Sequence, residues 1–358
     1  MKKYNIGWGL TNACNMNCKF CYSKETRDSS KNLGVDDWIK FIDENHQLIE
    51  SINYGTGENA ICNDFFTFLN HVRSNYPDIK QSLTTNGYLY EEISKDDKKM
   101  DIYKRAIDEV DVSLDFADKE KHNSFRGQPS AYTWAINMLK QLKKDLKLST
   151  IVFVGFEETM QKDNIDGLFK IAKDNNAILR LNIYRPVSEN MEINRKFTLS
   201  YNTLMDTLNY IGTNYKIIGL SDILLGNLLT NQENIVENTG VDSIRILPDG
   251  NICPSTYLIK DEYKNKYNIL QPNVLEKLKF ETFENAPIPS DCNNCSLKAK
   301  CRGGVYDRRI LWHGTLEERD PYCPLENNDT IEKEKYKVLK KDRISVHDGY
   351  LPTMFFKN

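Results

Sequence analysis

No stretch of this chain reaches the ~18 consecutive apolar residues that a membrane-spanning helix needs. The start, MKKYNIGWGLTN, is basic but has no apolar run of secretory-signal length. Neither sign of charge dominates: 48 Lys and Arg stand against 51 Asp and Glu, a net charge of −3. That balance excludes a broad basic field for nucleic acid or an anionic membrane surface. There is no internal repeat beyond an alternation of strands and helices, and no low-complexity segment. The chain reads as cytoplasmic, where thiols stay reduced, with neither nucleic acid nor membrane as partner. Its 358 residues, 40% hydrophobic, suffice for one large domain plus a smaller one.

Cysteine is missing where the chain is longest. Of nine cysteines, none lies between Cys62 and Cys253. Cys14, Cys18 and Cys21 cluster at the front, and Cys253, Cys292, Cys295, Cys301 and Cys323 fall in the last third. In a reducing compartment such clusters point to metal or redox work rather than disulfides.

The thiol-free middle alternates. YNIGWGLT is β-rich, and VDDWIKFIDENHQLIES places Trp38, Phe41, Ile42, Leu48 and Ile49 at helical spacing. Strands SINYGTGE, KQSLTTNG, VDVSLDF, LSTIVFVGF and AILRLNIYRP follow, with helical stretches between them. Repeated β-α units predict a parallel sheet with helices outside, curled or open, and ligands at the carboxyl ends of the strands. The polar turns fall there: the cysteine loop, then Gly55 to Glu58, then Thr85-Asn86-Gly87, then Asp115. The lysine-rich EKEKYKVLKKDR near the end reads as a solvated helix face.

Cys14, Cys18 and Cys21 are spaced C-x3-C-x2-C. Three thiolates bind three irons of a four-iron cluster and leave the fourth open to an outside ligand. A zinc site would want a fourth His or Cys nearby, and none occurs between residues 22 and 45. Loosely packed thiols are the other alternative.

This spacing, with Phe20 before the last cysteine at the end of a first strand, resembles the radical S-adenosylmethionine superfamily. The resemblance implies a partial (β/α)6 parallel barrel over residues 1–235. It also implies a [4Fe-4S] cluster on Cys14, Cys18 and Cys21, with S-adenosylmethionine on the open iron. One electron, from a flavodoxin- or ferredoxin-type donor, then yields a 5′-deoxyadenosyl radical that takes hydrogen from an unactivated C–H bond. YGTGE stands where the family has Gly-Gly-Glu. Thr56 replaces the first glycine, while Gly57 keeps a close backbone approach and Glu58 an acceptor for the cofactor ammonium. VSLDFADKEKHNSFRG resembles the strand-four segment, with Ser113, Asp115, His122 and Arg126. Arg126 is a candidate for the cofactor carboxylate, and His122 reads as a structural loop residue. Asn86, Asn182 and Arg185 complete the candidates.

Cys292-x2-Cys295-x5-Cys301, with Cys323 22 positions on, resembles the C-terminal auxiliary-cluster domain of such enzymes, of SPASM or twitch type. The resemblance implies one closed auxiliary [4Fe-4S] cluster in a cap over residues 236–358. The further cysteine of a second auxiliary cluster falls on Val305. A four-cysteine zinc site has the same spacing.

Cys253 follows LPDGN, a type I′-like turn signal. It is a buried small hydrophobe, a relic of a lost cluster, or the thiol that hands hydrogen to a substrate radical in an epimerase. The last is the expectation adopted. Cys62 reads as core. Family members often carry a leader-binding domain of about eighty residues. The first cluster cysteine is already at position 14, so a small molecule or a short peptide is the expected substrate. The alternative outcome is oxidative, a crosslink or dehydrogenation of a peptide or sugar with the auxiliary cluster as electron acceptor. A non-catalytic metal-binding module is the third reading.

Overall fold

The computed structural model describes residues 2–24, 32–232, 235–260, 262–264, 266–331, 335–339 and 345–358. Six parallel strands run in sequence order: β1 (Tyr4–Trp8), β2 (Ile49–Tyr54), β3 (Lys80–Thr85), β4 (Glu109–Ser113), β5 (Leu148–Gly155) and β6 (Ile178–Ile183). Every residue of β1 and β4 is buried, the mark of a sheet covered on both faces.

Helices cover the outer face. In α1 (Val35–Asn45), Trp38, Phe41, Ile42 and Asn45 are buried at positions i, i+3, i+4 and i+7. With α2 (Phe65–Asn75) this helix closes over β1. Trp8 meets Phe41 and Phe68 edge-on, both at 5.2 Å between centroids. Residues of five strands, β2 to β6, line one cavity together with Arg245, so the sheet curls around it as a partial barrel.

The sheet does not end at β6. Strand β7 (Lys216–Leu220) comes next in sequence, followed by β8 (Ser243–Ile246), parallel to β1, and β9 (Ile252–Cys253), antiparallel to β8. The last strand, β10 (Met354–Lys357), inserts between β6 and β7, antiparallel to both. The boundary expected at residue 235 is therefore crossed by the sheet. Ile244, Ile252, Phe283, Tyr322 and Phe356 also share one hydrophobic core with the barrel strands.

Two local expectations are corrected. In the turn between β8 and β9 only Gly250 is left-handed, at φ +82°. Pro248 cannot take the positive φ that a type I′ turn demands, so Gly250 N bonds back to Leu247 O at 2.9 Å instead. EKEKYKVLKKDR lies largely outside the described residues. Its described part, 335–339, makes parallel bridges, Tyr336 to Thr230 and Val338 to Ile217, rather than a helix. No helix of the described residues is long and apolar enough to cross a membrane.

A buried ion cluster ties the thiol-rich C-terminal part to the barrel. Arg308, on the helix Tyr306–His313, is wholly buried. It donates to Asp222, the N-cap after β7, at 3.1 Å from Nη2 and more closely from Nη1. Its Nε donates to both oxygens of Asp320, at 3.0 and 2.8 Å. Asp320 in turn accepts from the backbone N–H of Val305 and Tyr322. Burial would raise the Asp222 carboxyl, but Arg308 outweighs it and holds it below the usual range. A depressed carboxylate gives stability that is present above its unfolded pKa and lost as pH falls through the folded value. Arg308→Met leaves two buried carboxylates uncompensated and is expected to cost about 3–5 kcal/mol in denaturant unfolding near neutrality. The gap between variant and wild type should narrow below about pH 4. A cost under about 1 kcal/mol would show that the cluster is not the tie.

Candidate active site

The cysteine loop after β1 is folded against the turn after β2. Glu58 N donates to Ala13 O at 2.9 Å. A Cβ at Gly57 would lie 2.3 Å from Ala13 O and 2.7 Å from Thr11 O, and φ there is +63°. Only glycine fits. Thr56 stands at φ +94°, a strained position for a β-branched residue, with its hydroxyl 3.1 Å from that of Tyr22.

Cys14, Cys18 and Cys21 line a cavity of about 1170 Å³ including its open mouth. The wall also holds Gly57, Asn86, Ser113, Arg126, Asn182 and Arg185, all expected candidates. Asn86 Nδ2 donates to Asn15 Oδ1 at 2.7 Å, joining the β3 turn to the cysteine loop. Asn182 Oδ1 accepts from Thr353 Oγ1 at 3.1 Å, and Arg185 Nε donates to Asp307 Oδ1 at 2.8 Å.

Arg126 ends the helix Lys119–Arg126, with Gly127 closing it in the left-handed conformation. Its Nε and Nη2 both lie 2.7 Å from Asp115 Oδ2, while Nη1 is 4.0 Å from Cys18 Sγ. The guanidinium sits 5.0 Å over the Phe20 ring. Burial would lower its pKa, but Asp115 and Cys18 raise it, so it stays charged. Burial raises the Cys18 thiol, with Arg126 opposing.

Three expected site residues do not line the cavity. Asp115 is fully buried; its Oδ1 accepts from Val154 N at 3.0 Å and its other oxygen holds Arg126. Asp115 N donates to His122 Nδ1 at 3.2 Å, so that nitrogen is an acceptor. Burial and Arg126 push the His122 pKa well down, and the ring is a neutral prop. Glu58 accepts from Thr85 Oγ1 at 2.9 and 3.0 Å and from Asn86 N at 2.8 Å. These bonds brace the β3 turn. Cys253 is opposite Arg245 in the β8–β9 ladder, yet it is wholly buried, with Leu247, Ile259 and Tyr22 packed against it. Burial pushes its thiol up to about 12. Cys62 is half-buried against the main core.

Cys292, Cys295, Cys301 and Cys323 line a separate cavity of about 380 Å³, with no His, Asp or Glu among its described lining. Among the described residues no three Cys, His, Asp or Glu side chains gather where one metal ion could sit. Three thiols line one cavity and four the other, and all-sulfur donor sets of these sizes suit iron–sulfur clusters. On that test both sets fit the expected group.

The cavity also holds Tyr22, Arg180, Arg245, Thr256, Tyr257, His347 and Tyr350, which sequence reasoning did not select. Arg180 stands two residues before Asn182 in a strand, so it shares its face, and a lone cation in an apolar strand was the available signal. The same applies to Arg245 in SIRI. Nothing in the sequence marked His347 or Tyr350.

Residues 8–169 match the family described as the Radical SAM superfamily. The chain is 24% identical over 345 residues to mycofactocin maturase MftC of Mycolicibacterium smegmatis, covering 89% of this chain and 82% of that protein. It is 26% identical over 184 residues to a probable GTP 3′,8-cyclase of Pyrococcus abyssi, covering 49% and 55%. Among solved structures, Streptococcus suis SuiB bound to S-adenosylmethionine matches with a TM-score of 0.67 at 18% identity, covering 90% of this chain and 77% of that one. Native anSMEcpe with bound AdoMet and Cp18Cys peptide also matches at 0.67 and 18%, covering 90% and 94%. At these identities the structural matches establish the fold, a partial barrel shared with these proteins.

Glu58 gives a test of its bracing role. Burial pushes its carboxyl up to about 7, against the Asn86 and Thr85 bonds that lower it. A raised acid favours the folded state below its unfolded pKa, and that advantage is lost as pH rises through about 7. Glu58→Gln keeps an acceptor for Asn86 N and should remove this component, flattening the thermal-stability profile between about pH 5 and 8. S-adenosylmethionine affinity should change by less than about threefold. A loss above about tenfold with unchanged stability would make Glu58 a direct ligand.

Proposed function

We propose that this chain, which carries a radical SAM domain over residues 8–169, is an enzyme that oxidatively modifies a peptide. The observation that carries the reading is the sharing of one cavity by the three spaced thiols and the carboxyl ends of the barrel strands. Cys14, Cys18 and Cys21 would hold the first [4Fe-4S] cluster, and Cys292, Cys295, Cys301 and Cys323 an auxiliary one. When bound, the first cluster with S-adenosylmethionine supplies hydrogen-atom abstraction, and the second an electron sink.

The chain's own residues orient and enclose. Gly57 lets the cysteine loop close on the β2 turn, and Asp115 fixes Arg126 beside Cys18. Phe20 packs beside the thiols and joins them to an aromatic cluster with Phe116, Phe125, Phe156 and Phe197. The SPASM- or twitch-type assignment of the C-terminal part rests on the four-thiol cavity and its spacing.

A peptide substrate is supported by the relatives. The maturase MftC aligns over most of this chain. Structures with this fold include SuiB bound to the precursor peptide SuiA and anSMEcpe with a bound peptide. The oxidative outcome is preferred over epimerisation because the Cys253 thiol is covered and is not part of the cavity wall.

Reconstituted without oxygen and reduced, the protein should carry about eight irons with matching sulfide, the sum of two four-iron clusters, and cleave S-adenosylmethionine. Joint replacement of Cys14, Cys18 and Cys21 by Ala should abolish cleavage, and Cys323→Ala should lose about half the iron. Retained cleavage in the triple variant contradicts the reading. On the true substrate, mass spectrometry should find a product lighter by about two hydrogens, undiminished in Cys253→Ala. An isobaric product carrying one solvent deuterium, lost in Cys253→Ala, would instead establish the epimerase.

A further inference from the structure

The cavity wall holds four arginines, Arg126, Arg180, Arg185 and Arg245, and no aspartate or glutamate among its described lining residues. Two are matched by a carboxylate outside the lining: Arg126 by Asp115 and Arg185 by Asp307. Arg180 is 1% exposed and makes one bond, Nη2 to Asp111 Oδ2 at 3.1 Å. His347 Nδ1 lies 2.6 Å from the same oxygen, so this carboxylate is shared. Arg180 Nε and Nη1 are buried and have no hydrogen-bond partner among the described residues.

Arg245 has no carboxylate partner among the described residues. It is 1% exposed. Nη2 donates to Gly55 O and stands 3.5 Å from the Tyr22 hydroxyl; Nη1 stands 3.5 Å from that of Tyr350. Its Nε is buried without a hydrogen-bond partner among the described residues. Room for the guanidinium comes from Gly9, where a Cβ would come within 3.1 Å of Nη2. A buried guanidinium facing only neutral oxygens is costly, and a fold that keeps one against a cavity calls for an anion in that cavity. S-adenosylmethionine brings a sulfonium and an ammonium with its single carboxylate, so as a whole it adds no net negative charge to the cavity. The arginine beside a cluster thiol is Arg126, not Arg245.

Resting on the reading of the chain as a peptide-modifying enzyme, we propose that Arg245, seconded by Arg180, receives a carboxylate of the peptide substrate. The substrate class is then a peptide with an Asp or Glu at the reacting segment, or one whose C-terminal carboxylate enters the cavity. Bidentate guanidinium–carboxylate pairing sets both affinity and register, so these arginines determine specificity.

The test uses the iron-loaded protein with S-adenosylmethionine and a library of N-acetylated tripeptides in four arms: free or amidated C terminus, with or without Asp and Glu. Retention is read by affinity selection and mass spectrometry. Carboxylate-bearing arms should be retained at least about tenfold over the amidated arm lacking Asp and Glu. Whichever acidic arm leads names the source of the carboxylate. Arg245→Gln should erase the ranking and Arg245→Lys restore part of it. Equal retention of the neutral arm by wild type overturns the proposal, and that comparison decides alone if Arg245→Gln does not load iron. Calorimetry with S-adenosylmethionine guards the remaining ambiguity. A tenfold loss of cofactor affinity in Arg245→Gln, with the arms still ranked, would make the carboxylate the cofactor's own and overturn the proposal. Formation of 5′-deoxyadenosine in the same wild-type preparation separates the two readings. Cleavage with unranked arms removes the carboxylate site alone. Ranked arms without cleavage remove the enzyme reading and leave the site.

Discussion

The site depends on carboxylates buried outside its lining. Asp115 fixes Arg126 next to Cys18, Asp111 anchors Arg180, and Asp307 holds Arg185 while accepting from Ser255 at 3.4 Å. Burial would raise Asp111, but Arg180 and His347 hold it down to about 2, so it remains an anion. Each buried pair sets the desolvation of both partners against their attraction, so it is weak evidence of net stability. What the pairs give is position: guanidinium forks held without rotamer freedom at the edge of a cavity. Among the described residues the cavity arginine outside this scheme is Arg245, and the contrast with Arg126, Arg180 and Arg185 is what makes the lack of a counter-charge there informative.

Much of the fold was legible in the sequence, and the reason is physical. Strands buried on both faces read as apolar runs, and their alternation with amphipathic helices allows one topology, a parallel sheet wound in order. The cysteine loop was legible because ligand spacing is a local property. Side-chain direction was less so. Asp115 and Glu58 stand at strand ends beside the cavity, as expected of ligands, yet both are buried behind its lining and accept from Val154 N and Asn86 N, residues that do line it. Sequence position places a carboxylate near a site; which donors it meets is decided by loops far away in the chain. For Cys253 too, the surroundings of the side chain were not legible. The ladder sets it beside Arg245, but Ile259, six residues on, and Tyr22, distant in sequence, pack against the thiol.

The division into barrel and cap was the least legible part. A short apolar run such as MFFK carries no record of its partners, and only the folded chain shows β10 seated between β6 and β7. The four-thiol segment is likewise bound into the barrel by charge as well as by apolar contact, through Arg308 and through the Arg185–Asp307 pair. Because Asp307 and Arg308 are consecutive on one helix, the segment holding the closed thiol set and the wall of the open cavity cannot shift independently at that point.

The C-terminal segment then finishes the cavity. His347 and Tyr350 reach it from the turn Val346–Gly349, which is pinned by Val346 N on Glu109 Oε1 at 2.7 Å. Gly7, in the middle of β1, has a specific reason to lack a side chain: a Cβ there would fall 1.6 Å from the Tyr350 hydroxyl oxygen. A glycine inside a strand marks a close approach, and here what approaches is the other end of the chain. That hydroxyl meets Thr256 Oγ1 and lies near Arg245. So β1 carries the open thiol set at its exit and, through Gly7, admits the residue that orients the unmatched arginine. The two ends of the sequence are thus coupled at one wall, and the placement of the thiols and of Arg245 follows from the same strand.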